Sequence, residues 1–111
     1  MTVSTSFLTS ESRLTIRVTG RFGFSLHKAF LDAFQKSDTG ARCYTVDLTD
    51  ANSVDSSALG MLLLLRDFAG GDRSNITIDG ANSDIEKVLK ITSFDKLFHI
   101  PSMARSELAT A

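Results

Sequence analysis

Between Arg13 and Gly20 apolar and polar side chains alternate. Leu14, Ile16 and Val18 fall on one side, and Arg13, Thr15 and Arg17 on the other. A period of two is that of a strand with one buried face. Ser4 to Leu8 repeats the signal more weakly, and Thr9-Ser10-Glu11-Ser12 is polar enough to turn the chain, so the two segments predict a hairpin. After Gly20 the period lengthens. Leu26, Ala29, Phe30, Ala33 and Phe34 share one face of a helix, with Ser25 as its expected N-cap and an end near Ser37, before Asp38-Thr39-Gly40. Cys43 to Leu48 predicts a strand, and Asp50-Ala51-Asn52-Ser53 the loop that leaves it.

A second helix is predicted from Ser56 to Phe68, stopping at Gly70-Gly71. Ile76-Thr77-Ile78 is a short strand. Ser83-Asp84-Ile85-Glu86 has the form of a capping box, with Ile85, Val88 and Leu89 as the apolar face behind it. Phe94 to Phe98 adds a helical turn and His99-Ile100 a last edge strand. The tail after Pro101, residues 101–111, is either a short helix or frayed. Strands separated by helices require crossovers, and the opening pair of strands requires one antiparallel ladder. The fold class is therefore α/β: a small mixed, mostly parallel β-sheet with helices packed on it. The 111 residues fit one domain, 1–111, with a core of its own.

The second helix is apolar over an unusual width. Ala58, Leu59, Met61, Leu62, Leu63, Leu64, Leu65 and Phe68 cover most of its circumference. A helix lying on a small sheet needs a stripe of roughly 100°. Either neighbouring helices cover the excess, or the part around Met61, Leu64 and Phe68 meets a partner.

Composition narrows the function classes. A chain 42% hydrophobic and 23% charged is ordinary globular protein, and a net charge of -1 argues against a nucleic-acid surface. Cys43 is the only cysteine, so no internal disulfide forms, and a reducing compartment is the natural reading. The N-terminus carries no basic residue followed by an apolar run, and the longest apolar stretch, Ala58 to Leu65, is far short of the roughly 20 residues a membrane span needs. The expectation is a cytoplasmic protein that uses neither membrane nor nucleic acid. His27 and His99 lie on separate elements, Cys43 sits inside an apolar strand, and the glycines make no phosphate loop. Asp47, Asp50 and Asp55 gather after the third strand. A small Mg²⁺ site is one reading of them, and solvated loop carboxylates plus a helix cap explain them at least as well. No catalytic residue, cofactor or metal is expected.

Asp55-Ser56-Ser57 stands directly before the second helix. Locally, Asp55 is a cap that accepts the N–H of Ser57 or Ala58, and the serines are good first-turn residues. The same position is also where free backbone N–H groups and the positive end of the helix dipole would accommodate a phosphate. A serine there can serve as a reversible charge switch.

With Val46-Asp47-Leu48, a short loop, and Val54-Asp55-Ser56-Ser57-Ala58-Leu59-Gly60, the chain resembles the STAS domain, the fold of bacterial anti-sigma factor antagonists. Gly20 after the second strand and Ile91-Thr92-Ser93-Phe94-Asp95-Lys96-Leu97-Phe98 extend the resemblance over nearly the whole chain. It implies phosphorylation of Ser56, with Ser57 the weaker candidate, by a partner that is both kinase and anti-sigma factor. The unphosphorylated form would bind and the phosphorylated form would not. The implied docking surface comprises Asp55, Ser56, Ser57, Met61, Arg21, Phe22, Phe24 and Asn52. Ala58 stands where Gly is common. Arg21 and Gly23 stand where typical members carry acidic residues, which leaves the partner open. The run Ser56-Ser57-Ala58-Leu59-Gly60-Met61 onward looks most like single-domain members of Gram-negative two-component pathways, whose partner is an anti-sigma factor or a response regulator with serine kinase or phosphatase activity. A monomer or weak homodimer is expected. The alternative function is a module that senses a nucleotide or lipid without a phospho-switch.

Overall fold

The computed structural model describes residues 2–36 and 40–101. The hairpin forms as the alternation predicts. Strand β1 (Thr2–Leu8) pairs antiparallel with β2 (Arg13–Phe22), from Thr2 opposite Thr19 to Leu8 opposite Arg13. A short 3-10 turn, Thr9–Glu11, joins them, and Ser12 closes it in the left-handed region at φ 50°. Then follow α1 (His27–Gln35), β3 (Cys43–Asp47), β4 (Ala51–Val54), α2 (Ser56–Phe68), β5 (Ile76–Asp79) and α3 (Ser83–Ile91).

The sheet order is β1-β2-β3-β5, with β4 also on β2. Strand β2 is long enough to serve two neighbours. Its first half, Arg13 to Arg17, runs parallel to β3, and its last residues, Gly20 to Phe22, run parallel to β4. The changeover is a register shift between Gly20 and Arg21, where Gly20 has φ 84°. An extra twist of this kind suits a residue without a Cβ. Strand β5 pairs parallel with β3, and Thr77 makes a parallel bridge to His99.

One face of the sheet carries Leu14, Ile16, Val18, Phe22, Tyr44, Val46, Ile76 and Ile78, all buried. Against them pack Phe30 and Phe34 of α1, Met61, Leu62 and Leu65 of α2, and Ile85 and Leu89 of α3. Phe22 and Phe30 have ring centroids 5.0 Å apart, and Phe30 and Phe34 5.8 Å. Each such side chain contributes about 1.5–3 kcal/mol by leaving water. The opposite face sets Ser6, Thr15, Thr45 and Thr77 in one row across four strands. No helix among the described residues is long and apolar enough to cross a membrane.

Four expectations change. The segment read as a loop, Asp50 to Ser53, mostly belongs to β4, because its backbone pairs with the far end of β2. Ser25 is not the cap of α1. It lies within a 3-10 turn, Phe24–Leu26, and Leu26 holds the cap position without a side-chain bond. The cap of α3 is Asn82, whose Oδ1 accepts the Ile85 N–H at 2.9 Å, so Ser83 is the first helical residue and not the capping-box serine. His99 makes an isolated bridge where a strand was expected. The helical turn expected at Phe94 to Phe98 is present, as a 3-10 turn over Phe94–Lys96. The segment after Pro101 lies outside the described residues.

Candidate functional site

Strand β4 ends at Val54 and α2 begins at Ser56, so only Asp55 separates sheet from helix. The Asp55 N–H donates to the Phe22 carbonyl at 3.2 Å, which fastens this junction to the end of β2. Its extended backbone lets the carboxylate turn back, and Oδ1 accepts the Ala58 N–H at 3.0 Å. The cap expected from the sequence is therefore present. Leu59 N–H makes the first backbone bond of the helix, to the Asp55 carbonyl at 3.3 Å. The amides of Ser56 and Ser57 precede that ladder, where first-turn N–H groups lack intrahelical acceptors. Ser56 is exposed and Ser57 half-buried. A phosphate on the Ser56 hydroxyl would meet these donors and the positive end of a 13-residue helix.

Gly23 closes one side of the Asp55 carboxylate. It is buried, and a Cβ placed on it would lie 3.0 Å from Asp55 Cγ and closer still to Oδ2. Its φ of -155° is open to any residue. The requirement for glycine here is one of space alone. The sequence suggested only that an expected acid was missing at this position. The structure adds that a Cβ at this position would press on Asp55 Oδ2, so the carboxylate that caps α2 would have to shift.

The other implied docking residues divide by burial. Phe24 is 73% exposed and its ring stacks on His27 with centroids 5.9 Å apart. Arg21 is exposed and opposite Ser53 in register. Asn52 is exposed, and its carbonyl receives Asn82 Nδ2 at 3.4 Å, which ties β4 to the start of α3. Phe22 and Met61 are corrections. Phe22 is fully buried against Phe30 and Met61 is 1% exposed, so both hold the core behind the site and neither presents a side chain to a partner. The wide apolar helix divides by burial as well. Ala58, Met61, Leu62 and Leu65 face inward, while Leu63, Leu64 and Phe68 remain exposed, Phe68 with its ring 5.2 Å from Phe34.

Asp47 lies at the end of β3, apart from this cluster. Its Oδ1 accepts from Thr49 N–H at 2.9 Å and Thr49 Oγ1 at 2.6 Å, and Oδ2 accepts from Arg17 Nε at 3.1 Å. Partial burial pushes its pKa up, but the Thr49 donors and the Arg17 charge outweigh that and hold the carboxyl below its ordinary 3.8. Among the described residues no group of three His, Cys, Asp or Glu side chains is placed to hold a metal ion. Cys43 is buried, with Sγ 3.4 Å from the Glu11 carbonyl, in a packing position. A shallow polar recess of about 200 Å³, lined by Ser4, Thr5, Ser6, Thr15 and Arg17, sits on β1 and β2.

Residues 6–101 match the family model described as Mlab, STAS domain. A STAS-domain containing protein of Pseudomonas aeruginosa (strain UCBPP-PA14) is 47% identical over 87 residues, 78% of this chain and 86% of that one. Among solved structures, a candidate anti-sigma factor antagonist of Thermotoga maritima superposes with a TM-score of 0.74 at 18% identity, covering 95% of this chain and 92% of the other. The Bacillus cell fate determinant SpoIIAA in its phosphorylated form superposes with a TM-score of 0.62 at 13% identity, covering 96% and 98%. At these identities the two structures establish a shared fold.

Proposed function

The chain belongs to the STAS domain family, and from that premise we propose that it is an anti-sigma factor antagonist whose docking to a protein partner is switched by phosphorylation of Ser56. The observation that carries the reading is the pairing of an exposed Ser56 hydroxyl with an immobilised Asp55. Asp55 is held by the Ala58 amide, by the Phe22 carbonyl through its own N–H, and by the lack of space at Gly23. The serine is thus presented on a junction fixed at both ends.

Phosphorylation would add roughly -1.5 to -2 charge and three acceptor oxygens beside a carboxylate. The helix terminus stabilises that charge, so the fold is retained. A partner docked over Asp55, Ser56, Phe24 and Asn52 would instead face repulsion and the cost of desolvating a dianion, which weakens binding by several kcal/mol. Phe24 is the natural apolar anchor, since a large exposed aromatic ring concentrates binding energy. The partner is an anti-sigma factor or a response regulator with serine kinase or phosphatase activity, and Arg21 and Gly23 are positions at which this chain differs from typical members, which leaves the partner open.

The test uses Ser56→Ala and Ser56→Asp in the native host. Ser56→Ala is expected to recover the partner and Ser56→Asp to lose it at least tenfold. Phosphate-affinity electrophoresis of the wild type is expected to give a retarded band that Ser56→Ala abolishes. Equal recovery by both variants, with no retarded band, would overturn the proposal.

A further inference from the structure

The two edges of the sheet are finished differently. At β5, the chain itself closes the edge: Ile78 N–H donates to the His99 carbonyl at 2.8 Å, and His99 N–H donates to the Ile76 carbonyl at 2.9 Å. At β1, nothing among the described residues pairs with the outer side. Strand β1 is seven residues long, runs without a bulge, and contains no charge and no proline. An open edge usually carries at least one of those protections, because a row of unpaired N–H and C=O groups is a template for another strand.

The residues of β1 also match themselves. Val3, Thr5 and Phe7 stand in register with Val18, Ile16 and Leu14, on the side of the core, where Val3 and Phe7 are half-buried. Ser4 and Ser6 stand with Arg17 and Thr15 on the other side. If two such strands run antiparallel about an axis through Thr5, the positions that meet sum to ten. Val3 of one copy then faces Phe7 of the other, Ser4 faces Ser6, and Thr2 faces Leu8. On the core side two Val3–Phe7 contacts flank a central Thr5–Thr5 pair, on the other side Ser4 meets Ser6 with Thr2 against Leu8 at the ends, and no charge is left inside the pair.

We propose that β1 is a self-association edge at which two copies of this chain join their sheets, β1 antiparallel to β1, about a two-fold axis at Thr5. This surface is built from different residues than the Ser56 site, and the proposal stands independently of it. A contact of seven residues spans about 24 Å. That places it among small, reversible interfaces, with association in the range of about a micromolar to a millimolar.

The experiment is sedimentation velocity of the full chain across that concentration range. The weight-average mass is expected to climb from one chain toward two. Ser4→Lys/Ser6→Lys sets two pairs of like charges opposite each other and is expected to weaken the dimer by about tenfold. Ser4→Glu/Ser6→Lys makes the same pairs complementary and is expected to hold or strengthen it. Both positions are exposed, and thermal melts confirm that each variant is folded. A single-chain mass up to about a millimolar overturns the proposal. A dimer indifferent to both variants, or lost equally in both, overturns it as well.

Discussion

Gly23→Ala isolates the contact that positions Asp55. The backbone at Gly23, φ -155° and ψ -163°, accepts alanine without strain. The new methyl, however, would overlap the Asp55 carboxylate. The least costly response is rotation of Asp55, which breaks the bond to the Ala58 N–H. Loss of such a cap costs about 1 kcal/mol, with a range of roughly 0.5–2. Replacing glycine stiffens the unfolded chain and offsets about 0.4–1 kcal/mol. The net loss in the wild-type background is therefore only about 0.5 kcal/mol, too small to interpret alone. A double-mutant cycle separates the two effects. With Asp55→Ala already present there is no carboxylate to displace, and Gly23→Ala should stabilise by about 0.4–1 kcal/mol. The coupling energy between the two positions is then about 1 kcal/mol, larger than the scatter for independent sites. Urea unfolding of the four proteins, with m-values compared to confirm two-state behaviour, measures it. Additive effects would refute the claim that Gly23 is glycine for the sake of Asp55.

Two further outcomes are expected. Asp47 has a lowered pKa in the folded state, so it contributes stability above the unfolded pKa near 3.8, and that contribution disappears as pH falls through the lower folded value. Asp47→Asn should therefore be less stable than wild type at neutral pH, with the gap closing below about pH 4 in urea titrations, and a gap constant with pH would contradict the assignment. Phe22→Ala removes a ring with no exposed surface and should cost about 3–5 kcal/mol, whereas Phe24→Ala, at a ring 73% exposed, should change stability by less than about 0.5 kcal/mol while weakening partner recovery.

Much of this was legible in the chain because the signals are local. The hairpin follows from alternation, and the buried stripe of α2 at Ala58, Met61, Leu62 and Leu65 has helical spacing. The docking list placed Met61 outside because the surrounding leucines blur that stripe. Phe22 was legible too: it continues the even-numbered series Leu14, Ile16, Val18 beyond the point, Gly20, at which the strand was expected to stop. Strand β4 could not be seen, since Ala51-Asn52-Ser53 lacks the β-branched and aromatic side chains typical of strands, and its extended form depends on pairing with residues some thirty positions earlier. Asn82 and Ser83 are both good caps by residue type, so the local pattern did not say which one is used. The crowding of Gly23 against Asp55 joins two elements by sequence-distant contact, and a glycine between two phenylalanines carries no sign of it.

The hairpin has a kinetic consequence as well. Only Thr9 to Ser12 separate β1 from β2, while β3 and β4 reach β2 across long connections. Loop closure therefore favours the hairpin, which can form in about 1–10 μs, well before the parallel strands dock. Until α1 and α2 arrive, the early hairpin exposes Leu14, Ile16 and Val18 together with an unguarded strand edge. Refolding at high concentration would then set chain against chain at the same moment that each chain is recruiting its own helices. Dilution, or a charge on β1, would let the helices win that race.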